Sequence, residues 1–316
     1  MTTVWITGAR GFIGRYLARS LSDQGNKVIG IGHGHWPAHD AEYWGVSSWL
    51  NSSVTANNLE VLRCKAERPN LIYHLAGGAS VGASLESPRN DFSKTVDATS
   101  ELLEWIRLES PSTTLVAVSS AAVYGSSHTK PIREVDTICP YSPYGYHKYF
   151  MEELCRSYGM HFGINAVVVR LFSVFGRQLK KQLLWDICCK LDETEGKVTL
   201  GGTGDELRDW IDVRDVVRAL SLIADQADDQ VPTFNFGTGI GTSVKDIAMM
   251  VTSAWSSAFE ESRTIEFSGE ARPGDPFSLV SDVSRINELG IRSNVRVTDG
   301  ILDYVHWFAS LVRNRS

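Results

Sequence analysis

Short apolar runs alternate with amphipathic stretches through the first half of the chain. Val4-Trp5-Ile6-Thr7, Val28-Ile29-Gly30-Ile31, Leu71-Ile72-Tyr73-His74-Leu75, Leu115-Val116-Ala117-Val118-Ser119 and Ala166-Val167-Val168-Val169-Arg170 read as buried strands. Helical patterns lie between them. One runs from a Gly-rich turn to Gln24 with Gly25 as its stop, one covers about 88–109, and one is opened by Ser142-Pro143. Residues 33–58 are rich in His, Trp, Ser and Asn, match neither period, and read as a long connection. Strands alternating with helices predict parallel pairing, hence an α/β fold with a doubly wound parallel sheet.

After Arg170 the pattern shortens. Helices are predicted near 180–195, 213–226, 243–258 and 298–313, and strands at Val198-Thr199-Leu200, Trp210-Ile211-Asp212, Phe234-Asn235-Phe236 and Ile265-Glu266-Phe267. This is read as a smaller C-terminal α/β domain over the carboxyl edge of the sheet. The boundaries follow: residues 1–170, with 208–240 returning to the sheet, form the first domain, and residues 171–316 form mainly the second.

Composition narrows the classes. The chain has 316 residues, 43% hydrophobic and 22% charged, with a net charge of −6. That charge provides no basic field for a nucleic-acid backbone or an anionic membrane, so any phosphate must be held locally. Five cysteines (Cys64, Cys139, Cys155, Cys188, Cys189) show no metal-ligand spacing, and an odd, scattered set fits a reduced cytoplasmic protein. No apolar run reaches the roughly 18 residues of a membrane span, and no signal peptide or metal site is expected.

Two motifs carry chemistry. Gly8-Ala9-Arg10-Gly11-Phe12-Ile13-Gly14 follows the first strand directly and opens a helix. Glycines at that spacing allow a tight turn, close approach of backbone to a pyrophosphate and close helix packing, which predicts a dinucleotide site of the Rossmann type. An NAD enzyme of this kind places a carboxylate at the end of the second strand; here Gly32, His33, Gly34 and His35 stand there, and Arg10 lies in reach of a 2′-phosphate. The expectation is NADP(H) preferred, with NAD(H) also accepted. The second motif is Tyr144-Gly145-Tyr146-His147-Lys148, whose phenol and ammonium share one helix face. The positive charge is expected to lower the Tyr144 pKa toward the range of an acid/base catalyst.

With Thr7-Gly8-Ala9-Arg10-Gly11-Phe12-Ile13-Gly14 and Tyr141-Ser142-Pro143-Tyr144-Gly145 through Lys148, four further stretches complete an ordered set. They are His74-Leu75-Ala76-Gly77, Ser119-Ser120-Ala121-Ala122-Val123-Tyr124-Gly125, Arg208-Asp209-Trp210-Ile211 and Arg272-Pro273-Gly274-Asp275. On these motifs the chain resembles the extended short-chain dehydrogenase/reductase family, especially its nucleotide-sugar epimerases, reductases and dehydratases. The resemblance implies a Ser120–Tyr144–Lys148 catalytic trio, with Lys148 also at the nicotinamide ribose. It implies cofactor contacts at Gly8, Arg10, Gly11, Phe12, Ile13, Gly14, His33, Leu75, Ala76, Gly77, Tyr144 and Lys148. His74 is ranked as a buried polar residue near the cofactor rather than an acid/base. Ser119, Ser120, Ser173, Arg208 and Arg272 would meet the substrate, the two arginines clamping a diphosphate. Surface ion pairs of Arg208 with Asp209 and of Arg272 with Asp275 are the bland alternative, and Lys180-Lys181 are read as a solvated helix face.

The chain also departs from the family pattern. Ala121-Ala122 stand where dehydratases carry Asp-Glu, which argues against dehydration. His147 replaces the usual Ser before the lysine, Ser173 the usual Asn, and Ser53-Val54 an adenine-binding Asp-Ile or Asp-Val. The leading expectation is a reductase of a nucleotide-diphospho-4-keto-(6-deoxy)sugar, with hydride passing to C4 and Tyr144 donating the proton. The alternatives are a nucleotide-sugar 4-epimerase using the same trio and, remotely, a non-catalytic dinucleotide sensor. The expected partner is a nucleotide-diphosphate sugar, and a homodimer through helices near 88–109 and 142–158 is implied, with Trp105, Phe150 and Leu154 as interface or core.

Overall fold

The computed structural model describes residues 2–270 and 276–313. β1 (Thr3–Thr7) leads into α1 (Phe12–Asp23), β2 (Lys27–Gly32), α2 (Ala38–Tyr43), β3 (Val46–Asn51), α3 (Ala56–Lys65) and β4 (Leu71–His74). α4 (Val81–Glu86), α5 (Pro88–Phe92) and α6 (Ala98–Glu109) precede β5 (Thr114–Ser120), α7 (Pro143–Phe162) and β6 (Ala166–Leu171). The second half runs β7 (Ser173–Phe175), α8 (Gln182–Glu193), β8 (Lys197–Leu200), β9 (Leu207–Asp212), α9 (Val213–Ile223) and β10 (Thr233–Phe236). It ends with β11 (Gly241–Ser243), α10 (Val244–Phe259), β12 (Thr264–Phe267), β13 (Ser278–Leu279), α11 (Ser284–Glu288) and α12 (Val297–Arg313).

Among the described residues, seven parallel strands form one sheet in the order β10-β6-β5-β4-β1-β2-β3. Both faces are covered, which is why these strands read as continuous apolar runs. Along β1, Val4 and Ile6 enter one core with Leu17, Val116, Val167 and Val217. Trp5, between them, enters the opposite core with Ile72, Leu102, Trp105 and Met151. The chain order reverses between β1 and β4, and that reversal opens a crevice at the carboxyl ends of the two strands.

β9 belongs to a smaller sheet with β7, β11 and β13. β8 and β12 form a separate pair, and α8, α10 and α12 bury a third core with Leu184, Val251 and Phe308. Among the described residues, no helix is long and apolar enough to cross a membrane.

Two local expectations change. Residues 33–58 are not one connection but hold α2, β3 and the start of α3. β3 hid because it is an edge strand with one neighbour and exposed Ser47, so its apolar pattern is broken. The helix expected over 88–109 is divided by a wide π turn at Ser93–Asp97, which places Thr95 beside the cleft described below. Trp105 is core, stacked on Trp5 at 5.1 Å. Leu154 is half-buried against the same core and Phe150 is exposed.

Candidate active site

A cleft of about 1480 Å³ runs from the switch point to the smaller sheet. At one end the turn after β1 presses against the loop after β4. Gly8 has φ 74°, and a Cβ there would come within 3.0 Å of the Ala76 backbone nitrogen. A Cβ on Gly14 would run into the Gly8 carbonyl oxygen. Only bare backbone fits here, so the N-terminus of α1 and its unpaired first-turn N–H groups open onto the cleft through Gly11, Phe12 and Ile13. Leu75, Ala76 and Gly77 line the facing wall.

His74 fixes that wall. Ala76 N–H donates to Thr7 Oγ1 at 3.1 Å, and Thr7 Oγ1 lies 2.8 Å from His74 Nδ1. On the other side His74 Nε2 lies 3.0 Å from Thr99 Oγ1, whose hydroxyl donates to the Thr95 carbonyl at 2.6 Å. Thr99 therefore accepts from Nε2–H, and Nδ1 accepts from Thr7. Full burial pulls the His74 pKa down to about 3, so the ring stays neutral and serves as a strut.

At the outer edge Gly32 and exposed His33 border the cleft where the carboxylate of an NAD enzyme is expected. Gly34 N–H donates to Asn51 Oδ1 at 2.8 Å. The Arg10 guanidinium covers Gly34 so closely that a Cβ there would meet it.

Tyr144 sits in the first turn of α7. Ser142 caps that helix, its Oγ accepting from Gly145 N–H at 3.2 Å, and Pro143 fits the first turn. A Cβ on Gly145 would stand 2.6 Å from the Ala122 carbonyl, so the glycine lets α7 lie against the turn after β5 that carries Ser120. The Tyr144 phenol shares a hydrogen bond with the Ser120 side chain, and its backbone N–H donates to Ser84 Oγ at 3.1 Å. Lys148 is buried, and Nζ donates to the Val118 carbonyl at 2.9 Å. Ser120, Tyr144 and Lys148 therefore line one cleft, with Gly77 in contact range of Lys148 Nζ.

The electrostatics differ from the sequence expectation. The Tyr144 pKa is raised, not lowered: desolvation dominates, the Ser120 hydrogen bond opposes it, and the Asp91 charge adds to it. Lys148 itself is pulled down to about 8 by burial, against the charges of Asp91 and Glu152.

At the far end, Ser173 and Arg208 border the cleft with Trp210 and Glu206. Arg208 does not pair with Asp209. It donates to the Leu207 and Pro276 carbonyls at 2.9 and 2.7 Å. Asp209 is buried and accepts from the backbone N–H groups of Thr238, Gly239 and Ser281. Lys181, read as a solvated helix face, borders the cleft at the start of α8. Arg272, with its Arg272-Pro273-Gly274-Asp275 stretch, lies outside the described residues.

Ser119 borders the cleft beside Ser120 but is largely buried, and its hydroxyl donates to Glu152 Oε1 at 2.5 Å. Glu152 is held by Arg170 through Nε and Nη2 at 2.9 and 2.6 Å, and by Arg156 at 3.0 Å. Arg170 Nη1 donates to the Tyr124 hydroxyl at 2.8 Å, which donates to Asn235 Oδ1 at 2.7 Å. This network underlies the trio from the protein side. Sequence reasoning missed Glu152, although it lies four residues after Lys148 on the same helix face.

The model of the NAD dependent epimerase/dehydratase family matches residues 4–237. The chain belongs to this family. A putative UDP-glucose 4-epimerase of Methanocaldococcus jannaschii is 27% identical over 96% of this chain and 97% of its own. A UDP-glucose 4-epimerase of Mycolicibacterium smegmatis is 28% identical over 98% of both. Among solved structures, MoeE5 in complex with UDP-glucuronic acid and NAD is 28% identical with a TM-score of 0.83, covering 98% of this chain and 99% of that one. The UDP-glucose 4-epimerase from Thermotoga maritima, 24% identical, shares the fold with a TM-score of 0.86 over 98% and 99% of the two chains.

Family membership makes the protein an NAD-dependent enzyme of the extended short-chain dehydrogenase/reductase type. Its residues fit the dinucleotide: Gly8 and Gly14 form a cradle that a Cβ would fill, and Gly77 stands beside the buried Lys148 ammonium.

Proposed function

We propose that the protein is a nucleotide-sugar 4-epimerase, with the sugar C4 oxygen at Tyr144 and the diphosphate toward Arg208. The observation that carries this reading is the Ser120–Tyr144 hydrogen bond in a cleft that has Ala121-Ala122 beside it. One phenol and one hydroxyl suffice to move a proton to and from O4. Elimination of water from neighbouring carbons needs a further acid and base, which Ala121-Ala122 lack. The relatives named above as UDP-glucose 4-epimerases support epimerisation over the 4-keto-sugar reduction expected first.

A bound nicotinamide supplies a hydride acceptor that can also return the hydride. The chain supplies the rest. Tyr144 takes the O4 proton as C4 is oxidised and restores it after the keto sugar has turned over. Ser120 holds O4 against the phenol, and the Lys148 ammonium favours the phenolate as it forms. Residues 1–170, with β10 returning to their sheet, hold the dinucleotide on this reading, while β9, which carries Arg208 in the smaller sheet, and the remainder of 171–316 receive the nucleotide sugar.

The expected result with UDP-glucose is appearance of the 4-epimer by NMR without net change in nicotinamide absorbance. Stoichiometric consumption of reduced nicotinamide, with no epimer from any nucleotide hexose, overturns the reading in favour of a reductase.

A preference for NADP(H) belongs to the same proposal. It is supported by Gly32 and His33 at the end of β2 and by Arg10 over Gly34. In equilibrium titrations NADPH is expected to bind about tenfold more tightly than NADH, the worth of one charge-assisted contact. Arg10→Ala should erase the difference. Tighter binding of NADH by the unaltered protein contradicts the preference.

A further inference from the structure

His147 lies between the two catalytic candidates in sequence, one residue before Lys148, and points away from the cleft into the protein. Its Nδ1 is 2.6 Å from Asp91 Oδ2, with side-chain exposures of 10% and 5%. The Phe92 ring stands edge-on to the imidazole at 5.3 Å. A carboxylate oxygen at that distance accepts, so Nδ1 carries the hydrogen.

Asp91 has a second neighbour. Its carboxylate lies against Gly78, where a Cβ would collide with it. Gly78 N–H donates to Thr95 Oγ1 at 2.8 Å, and a Cβ on Gly77 would lie 3.2 Å from that oxygen and 3.3 Å from Lys148 Nζ. One buried carboxylate thus touches the catalytic helix on one side and the loop after β4 on the other.

We propose that His147 and Asp91 form a positioning pair that locks α7 to the Gly77–Gly78 loop, and so sets where the nicotinamide end of the dinucleotide lies relative to Tyr144 and Lys148. The pair touches no reacting atom. Misplacement of the loop relative to α7 separates the hydride acceptor from the proton acceptor, and a shift of about 1 Å at such a site costs on the order of 10²-fold in rate. The Asp91 charge also acts on the trio: it opposes the burial that pulls Lys148 down and adds to the burial that pushes Tyr144 up.

The test compares three variants that differ in where a donor stands. The amide of His147→Asn reaches the place of Nδ1–H, the amide of His147→Gln reaches the place of Nε2, and His147→Ala has no donor. Two readouts are needed: fluorescence titration with NADH, which uses no substrate, and kcat against KM for epimerisation, which rests on the proposed function. The Ala and Gln variants are expected to weaken NADH binding about tenfold and to lower kcat about 10²-fold, with KM for the nucleotide sugar within about twofold. The Asn variant should recover both to within about threefold. Equal losses in the Asn and Gln variants, or unchanged NADH affinity in both, overturn the pair; this comparison decides even where the Ala variant does not fold. If the unaltered protein makes no epimer, the epimerase reading fails, while the NADH titration still judges His147 and Asp91.

Discussion

Tyr144→Phe is expected to lower kcat by roughly 10²- to 10⁴-fold, the usual worth of a positioned general acid/base. The change removes one oxygen. The ring still fills the same half-buried place in the first turn of α7, and the backbone N–H still reaches Ser84 Oγ. Binding of NADH and of the nucleotide sugar should therefore stay within about threefold, since neither depends on the phenolic proton. The thermal midpoint should rise or stay level, because a desolvated hydroxyl is removed and Ser120 keeps its contact with Ala122 N–H at 3.2 Å. Steady-state turnover of the purified variant, with an NADH titration beside it, checks the split. Full turnover would move the proton transfer to another residue.

The largest effect on stability is expected at Arg170→Met. Arg170 and Glu152 are 1% and 0% exposed, and the arginine satisfies both carboxylate oxygens of Glu152 as well as the Tyr124 hydroxyl. Removing it leaves a buried carboxylate with only Ser119 and the half-exposed Arg156 as partners. Breaking such a pair costs about 3–5 kcal/mol. For a chain of this size that lowers the thermal midpoint by roughly 10 °C. Replacing both partners, Glu152→Leu with Arg170→Met, should recover much of the loss, because the uncompensated charge is then gone. Calorimetry on the two variants checks this; a double variant less stable than Arg170→Met would mean that the network, not the stranded charge, supplies the stability.

The parts of this protein that were legible in its sequence share a physical feature: their signal is local. The central strands are buried on both faces, so Val4–Thr7 and Ala166–Arg170 are visible as apolar runs. The phosphate turn is a spacing of glycines, and Tyr144 and Lys148 are one helical turn apart. What was not legible depends on distant neighbours. His147 meets Asp91 across 56 positions and Tyr124 meets Asn235 across 111, and nothing in the local pattern announces either. The edge strand β3 was hidden because one neighbour and a solvent-facing serine leave no apolar period. The Tyr144 pKa was misjudged in direction because spacing reveals a charge nearby but not the loss of water around the phenol. Ser119 borders the cleft as expected, but the engagement of its hydroxyl by Glu152, 33 positions further on, was not legible.

The central claim is that the hydride removed from C4 is returned to C4 of the same sugar. A nucleotide hexose deuterated at C4 tests it most directly, with product isolated and examined by NMR and mass spectrometry. The account predicts a 4-epimer that retains the deuterium at C4, formed without net production of reduced nicotinamide. Loss of the label to solvent, or recovery of a single configuration reduced from added NADPH, would contradict it.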